Sequence, residues 1–174
     1  DAINKGIKRA TGEIINWINS DDMLAKESLH HIAEKFHSSK ALCLCGPITM
    51  FRGEKQWPHP AAWTPGDSLQ RTFGADGYNQ PGTFFHREAI EKMGLPDVSL
   101  RYVMDKEWFI RFLLLFGIDK ITCTDQSLAL YRYHEAAKTV AEGTPFLDEY
   151  AAITYRIVEA AGEKELLPLL AEQF

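Results

Sequence analysis

A short apolar run, Glu13-Ile14-Ile15-Asn16-Trp17-Ile18, stops abruptly in four polar residues, Asn19-Ser20-Asp21-Asp22. A run this short and this apolar suits a buried central strand. The segments around it alternate in type. Ala2 to Ala10 sets Ile3 and Ile7 on one helical face ahead of Gly12, so the chain begins at Asp1 inside a helix. Ser28 to Phe36 spaces Leu29, Ile32, Ala33 and Phe36 as a helical stripe. Ala41 to Cys45 and Ile48 to Phe51 read as extended pieces on either side of Gly46-Pro47, and Gln80 to Phe85 as another. Arg87 to Met93 is a short helix closed by Gly94. Asp105 to Phe116 is a stronger one, with Trp108, Phe109, Phe112, Leu113 and Phe116 as its buried stripe and Gly117 as its stop. Lys120 to Thr124 and Leu128 to Tyr133 read as strands. Pro145 to about Ala161 is an amphipathic helix, followed by a Leu-rich turn at Leu166 to Leu170. Strands alternating with helices specify an α/β layered domain. Between Arg52 and Asn79 the pattern loosens into a long excursion, with one short helix expected near Ser68 to Phe73.

Composition narrows the function classes. A chain of 174 residues that is 45% hydrophobic can bury one core, and its length argues against several domains. Nineteen basic against 24 acidic side chains give a net charge of −5, which argues against a nucleic-acid footprint. The densest apolar stretch, Trp108 to Phe116, is interrupted by Arg111 and is too short to span a bilayer. Cys43, Cys45 and Cys123 are an odd set that fits buried thiols in a reducing compartment rather than a disulfide framework or a zinc site. The sequence carries no P-loop, no paired-glycine dinucleotide fingerprint and no Gly-x-Ser-x-Gly elbow.

Three constellations could carry chemistry. Open α/β sheets place ligands beyond the carboxyl ends of their strands, where Asn19-Ser20-Asp21-Asp22 falls. Adjacent carboxylates there suit Mg²⁺ or Mn²⁺, with helix capping as the competing role. Asp105, at the start of a strong helix, is either an N-cap or a general base; Trp108, one turn on, is either a sugar-stacking platform or core. The run Tyr131-Arg132-Tyr133-His134, with Lys138-Thr139 after it, ends a strand in a histidine followed by a lysine, a pairing compatible with gripping a phosphate.

In order along the chain, these segments resemble family 2 glycosyltransferases of the GT-A fold. Asp1-Ala2-Ile3-Asn4-Lys5-Gly6-Ile7, Ala10 to Ile15 and Asn19-Ser20-Asp21-Asp22 look like the middle of such a domain. Gln80-Pro81-Gly82-Thr83-Phe84-Phe85 looks like its acceptor-side strand. Met104-Asp105-Lys106-Glu107-Trp108 with Arg111 looks like its catalytic helix, and Tyr131-Arg132-Tyr133-His134 with Lys138-Thr139 like its closing motif. The resemblance implies a Rossmann-like layered domain with a mixed, mostly parallel sheet flanked by helices. It spans about residues 1–140, with 141–174 as a C-terminal helical appendage.

The implied activity is inverting transfer of a sugar from a nucleotide diphosphate sugar, a UDP-sugar first, to an acceptor hydroxyl. The implied setting is glycan or polysaccharide assembly in a bacterial cytoplasm, at the inner face of the membrane. Asp21 would hold the divalent cation (Mn²⁺ or Mg²⁺), supported by Asp22, with Asn19 standing where the family's first acidic residue is usual and hydrogen-bonding a ribose or a metal-bound water of the donor. Asp105 would be the base. His134 and Lys138 would approach the diphosphate, and in the case of His134 the metal. Gln80 and Trp108 would lie on the acceptor side, and Trp57, His59 and Trp63 in the excursion are further acceptor candidates. Family members begin with an apolar strand and a nucleotide-binding strand that do not precede Asp1 here. The chain is therefore read as lacking its first strands, with weak or no activity expected and the exposed sheet edge covered by dimerisation or strand exchange. Two other readings compete: a non-catalytic GT-A-like carbohydrate-binding or assembly module, and a nucleotidyltransferase on a related fold.

Overall fold

A computed structural model of the protein describes residues 1–68, 79–135, 137, 143–162, 165, 167 and 168. The helices among them are α1 (Ala2–Arg9), α2 (Ser28–His37), α3 (Arg87–Met93), α4 (Met104–Phe116) and α5 (Gly143–Ala161). The strands are β1 (Ile14–Ile15), β2 (Met23–Leu24), β3 (Cys43–Cys45), β4 (Ile48–Arg52), β5 (Lys55–His59), β6 (Thr83–His86), β7 (Ile121–Cys123) and β8 (Ala129–Arg132). One sheet has the order β1-β6-β3-β7 and the other β2-β8-β4-β5.

The architecture is the expected mixed α/β one, with helices against the sheets. The ladders differ in one respect from a parallel majority: β3–β7 and β4–β8 are parallel, and the other four are antiparallel. The β4–β5 ladder is a hairpin, turned at Gly53 with φ 61°, a connection that only antiparallel strands allow. Strand β5 falls inside the excursion that showed no strand pattern. Pro58 obscures it, and is tolerated because β5 is an edge strand whose missing N–H breaks no inner ladder. Of the short helix expected at Ser68 to Phe73, only Ser68 is among the described residues; of the Leu-rich turn at Leu166 to Leu170, only Leu167 and Pro168 are.

Strand β3 shows why this sheet is buried on both sides. Its three residues are fully buried, and alternate side chains point to opposite faces. Cys43 and Cys45 face the main core with Phe85 and Ile121, while Leu44 faces Ile32, Phe84 and Leu128 under α2. The two thiols are free, 3.9 Å apart, as expected for apolar filling rather than a bridge. In the main core Trp108, Phe85 and Phe112 stack as tilted rings with centroids 4.8 and 5.6 Å apart. Helix α5 adds Tyr150, Ile153 and Val158 to that same core.

Gly82, in the turn before β6, sits where the two sheets meet. Its carbonyl accepts from the Gly46 N–H at 2.9 Å, and a Cβ at this position would strike Asn79 Oδ1 and the Gly46 carbonyl oxygen. Backbone atoms cannot swing aside as a side chain can. Gly82→Ala is therefore expected to destabilise the fold by about 1–3 kcal/mol, read as a lowered denaturation midpoint.

Candidate functional site

The site is built by a strand of two residues. Strand β2 pairs antiparallel with β8, Met23 opposite Leu130 and Leu24 opposite Ala129, which carries Asp21 and Asp22 alongside the end of β8. There Asp21 Oδ2 meets His134 Nε2 at 2.9 Å, across 113 positions of sequence. The two side chains are 35% and 39% exposed, so a ligand can reach both.

Asp22 has a different position. It is 7% exposed and both carboxylate oxygens are engaged: Oδ1 accepts from the Arg132 N–H at 2.9 Å, and Oδ2 from Asn19 Nδ2 at 3.0 Å. Burial pushes its carboxyl up, against the opposing pull of those two donors, and the neighbouring Asp21 charge pushes the same way. Asp22 thus straps the Asn19–Asp22 turn to β8, and the strap holds Asp21 in front of His134. Neither aspartate caps α2, whose N-cap is Glu27.

Asn19 acquires a physical reason in this arrangement. An amide can donate to the buried Asp22, whereas an aspartate there would bring a second carboxylate against it. Asn19→Asp is expected to lower thermal stability most at neutral pH. Like charges raise the folded-state carboxyl values, so the loss shrinks as the pH falls and the carboxyls protonate. Thermal melts at several pH values check this; a midpoint equal to that of the native chain at pH 7 would rule out the strap.

Asp105 lies in the first turn of α4. The N-cap is Val103, so the capping role is not the one it fills. Asp105 Oδ1 accepts from the Lys106 N–H at 2.8 Å. Burial pushes the Asp105 carboxyl up, opposed by the N–H groups of Lys106 and of Asp105 itself and by the Lys106 charge. A half-buried carboxylate with a raised affinity for protons has the property wanted of a base.

A third set of contacts connects these two places. Asn16 donates through Nδ2 to the Pro81 carbonyl at 3.1 Å, and its Oδ1 accepts from the Trp17 N–H and from Gln80 Nε2, both at 2.6 Å. These bonds turn the chain out of the sheet after Ile15, which is why β1 ends before the apolar run does. Trp17 then packs on Trp108, one turn along α4 from Asp105, with ring centroids 5.6 Å apart. One loop, residues 16–22, therefore touches both the helix of Asp105 and the strand end of His134.

The profile of Glycosyl transferase family 2 matches residues 1–96, more than half of the chain. The chain belongs to glycosyl transferase family 2. Among solved structures, TarS from S. aureus superposes with a TM-score of 0.66 at 15% identity, over 98% of this chain and 30% of that one. A TarS 1–349 structure in complex with UDP-GlcNAc superposes with a TM-score of 0.64 at 17% identity, over 89% of this chain and 45% of that one. A TarS 1–349 complex with UDP gives 0.61 at 15% identity, over 86% and 43% of the respective chains. The chain thus spans less than half the length of each of these structures, and at these identities the likeness is one of fold, the GT-A type. No curated protein matches the sequence.

Within this family 2 domain, two acceptor-side residues are not where the resemblance implied. Trp108 is fully buried, with its Nε1–H donated to the Gly94 carbonyl at 2.8 Å, so it presents no face to a sugar. It belongs to the core stripe, because the helical period that buries Phe109 and Phe112 buries it too. Gln80 is 6% exposed and its amide is held by Asn16 and by the Trp17 carbonyl at 2.6 Å, which makes it part of the frame under residues 16–17. Lys138 lies outside the described residues. A shallow cavity of about 570 Å³ is lined by Arg52, Glu54, Lys55, Trp57 and Tyr133, the last of these the residue before His134, with the Trp57 and Tyr133 rings edge-on at 5.8 Å. Of the other aromatic candidates, Trp63 packs against the main core, and burial pushes His59 down. No group of three or more His, Cys, Asp or Glu side chains able to hold a metal occurs among the described residues, and no described helix is long and apolar enough to cross a membrane.

Proposed function

We propose that the chain carries the catalytic portion of an inverting glycosyltransferase that takes a sugar from a UDP-sugar to an acceptor hydroxyl. The observation that supports this best is the contact between Asp21 and His134, because it joins a carboxylate and an imidazole at a half-exposed strand end of a family 2 domain. Asp21 and His134 would hold a divalent cation between them, and such a cation would offset charge on the leaving diphosphate. Asp105 takes the proton of the acceptor hydroxyl as its oxygen attacks the anomeric carbon and the bond to the diphosphate breaks on the opposite face. The Trp57 and Tyr133 rings offer the acceptor glycan a stacking surface beside the site. Lys138 completes the hold on the diphosphate. The setting that goes with this chemistry is glycan assembly at the cytoplasmic face of a bacterial membrane, by a protein able to form homodimers.

Calorimetric titration of a transfer-competent protein carrying this chain with UDP-GlcNAc, with and without Mn²⁺, tests the reading. Binding that requires Mn²⁺ is the expected result. No heat with UDP-, GDP- or TDP-sugars in the presence of the metal would remove the donor assignment. Metal-independent binding of free oligosaccharides instead would favour a non-catalytic carbohydrate-binding module.

A further inference from the structure

Helix α5 follows the segment that carries the closing motif, and nothing in its amphipathic pattern points to chemistry. Its placement does. The Glu149 carboxylate accepts three consecutive main-chain N–H groups: Arg101 through Oε1 at 2.9 Å, and Tyr102 and Val103 through Oε2 at 2.6 and 3.0 Å. Val103 is the N-cap of α4, and no side chain of its own caps that helix. Glu149 therefore supplies, from 46 to 48 positions away, the acceptor for the main chain entering α4 that the Val103 side chain cannot provide. Burial acts to raise the Glu149 carboxyl, but the three N–H groups outweigh it and hold the group below its ordinary value. The next residue of α5 makes a second contact with the same turn: Lys106 Nζ lies 5.4 Å from the centre of the Tyr150 ring. Asp105 sits between these two anchors, two residues after Val103 and one before Lys106.

We infer that Glu149 is a positioning residue for Asp105, and that α5 sets the base by clamping the backbone at residues 101–103. This rests on the proposed role of Asp105 as the base, but the clamp itself is independent of any substrate. A carboxylate accepting three amide N–H groups fixes the path of the chain entering α4, and so the direction in which the first turn of that helix presents its side chains. Without it the first turn is held mainly by its own hydrogen bonds, which fray at helix ends. A base displaced by even about 1 Å can lose on the order of 10²-fold in rate.

The test compares the native chain with Glu149→Gln, which keeps the side-chain size and loses the charge. The expected result is at least about tenfold faster amide exchange at Arg101, Tyr102 and Val103, with Cys43 to Cys45 in the core still protected. The ¹³C titration midpoint of the Asp105 carboxyl is expected to move toward that of an ordinary aspartate as water reaches it. In a transfer-competent protein carrying this chain, kcat should fall about tenfold or more with the donor KM within about twofold. A purely structural Glu149 would lower the melting temperature while leaving the Asp105 midpoint and kcat unchanged, and that result would overturn the inference. If Glu149→Gln does not fold, Glu149→Asp, which keeps the charge and shortens the reach, is read by the same three measurements. Loss of the clamp signals in a protein that binds no nucleotide sugar would uphold the clamp and count against the proposed function; intact binding with an unmoved Asp105 would do the reverse.

Discussion

Asp105→Asn should reduce sugar transfer by about 10²–10⁴-fold, the contribution typical of a positioned base, while leaving nucleotide-sugar affinity nearly intact. The separation follows from geometry. Asp105 belongs to the first turn of α4, whereas the groups assigned to the diphosphate end, Asp21 and His134, meet at the end of β8. Asn fits the same space and its carbonyl oxygen can still accept the Lys106 N–H, so folding loses little. Stability should in fact rise. Burial holds the Asp105 carboxyl above its ordinary value, so the native state binds its proton more tightly than the unfolded chain does. Such a group destabilises the fold above its folded-state value, and this cost disappears as the pH falls through it. The Asn variant lacks that cost: its melting temperature should exceed the native one most clearly at neutral pH, and the two should converge on acidification. Transfer assays in a protein carrying the complete site, paired with calorimetry and melts at two pH values, read all three consequences. Full activity in the variant would eliminate Asp105 as the base.

The contrast between what the sequence reveals and what it hides is clear along α3 and α4. Both helices lie within a residue of where their apolar spacing and closing glycines put them, because Gly94 and Gly117 adopt φ of 76° and 71°, which other residues rarely do. The same periodicity decides between the two roles open to Trp108, since the stripe that buries Phe109 and Phe112 leaves it no face for a sugar. The site was legible as residues but not as an assembly. Asp21 and His134 each stand out at the end of an apolar run, yet their meeting depends on the register of β2 against β8. Two residues, Met23 and Leu24, are too few to give a strand period. The framing role shared by Asn16 and Gln80 is hidden for a related reason: each acts through main-chain atoms or amides more than sixty positions away. Glu149 is the extreme case. Its partners are three backbone N–H groups, which have no side-chain identity for a sequence pattern to register.

Asp21→Ala and His134→Ala should each weaken Mn²⁺-dependent binding of UDP-GlcNAc by about tenfold or more, a loss typical of disturbing a metal site. The double variant should lose little beyond either single one. That non-additivity is the decisive feature, because two residues holding one cation act as a unit, while two independent contacts to the nucleotide would add. Stability should barely change in either variant. The pair is more than a third exposed on average, and such ion pairs contribute little to folding. Asp22→Ala provides the contrast. It removes the acceptor for the Arg132 N–H and the Asn19 amide in a buried position, so it should lower stability by about 1–3 kcal/mol as well as affinity. Adding EDTA should bring the native chain and both single variants to the same low affinity. If Asp21→Ala still bound UDP-GlcNAc at the native affinity in Mn²⁺, the Asp21–His134 contact would be a surface hydrogen bond and the diphosphate would have to be held elsewhere. If affinity fell equally with and without the metal, Asp21 would act by shaping the Asn19–Asp22 turn rather than by holding a cation.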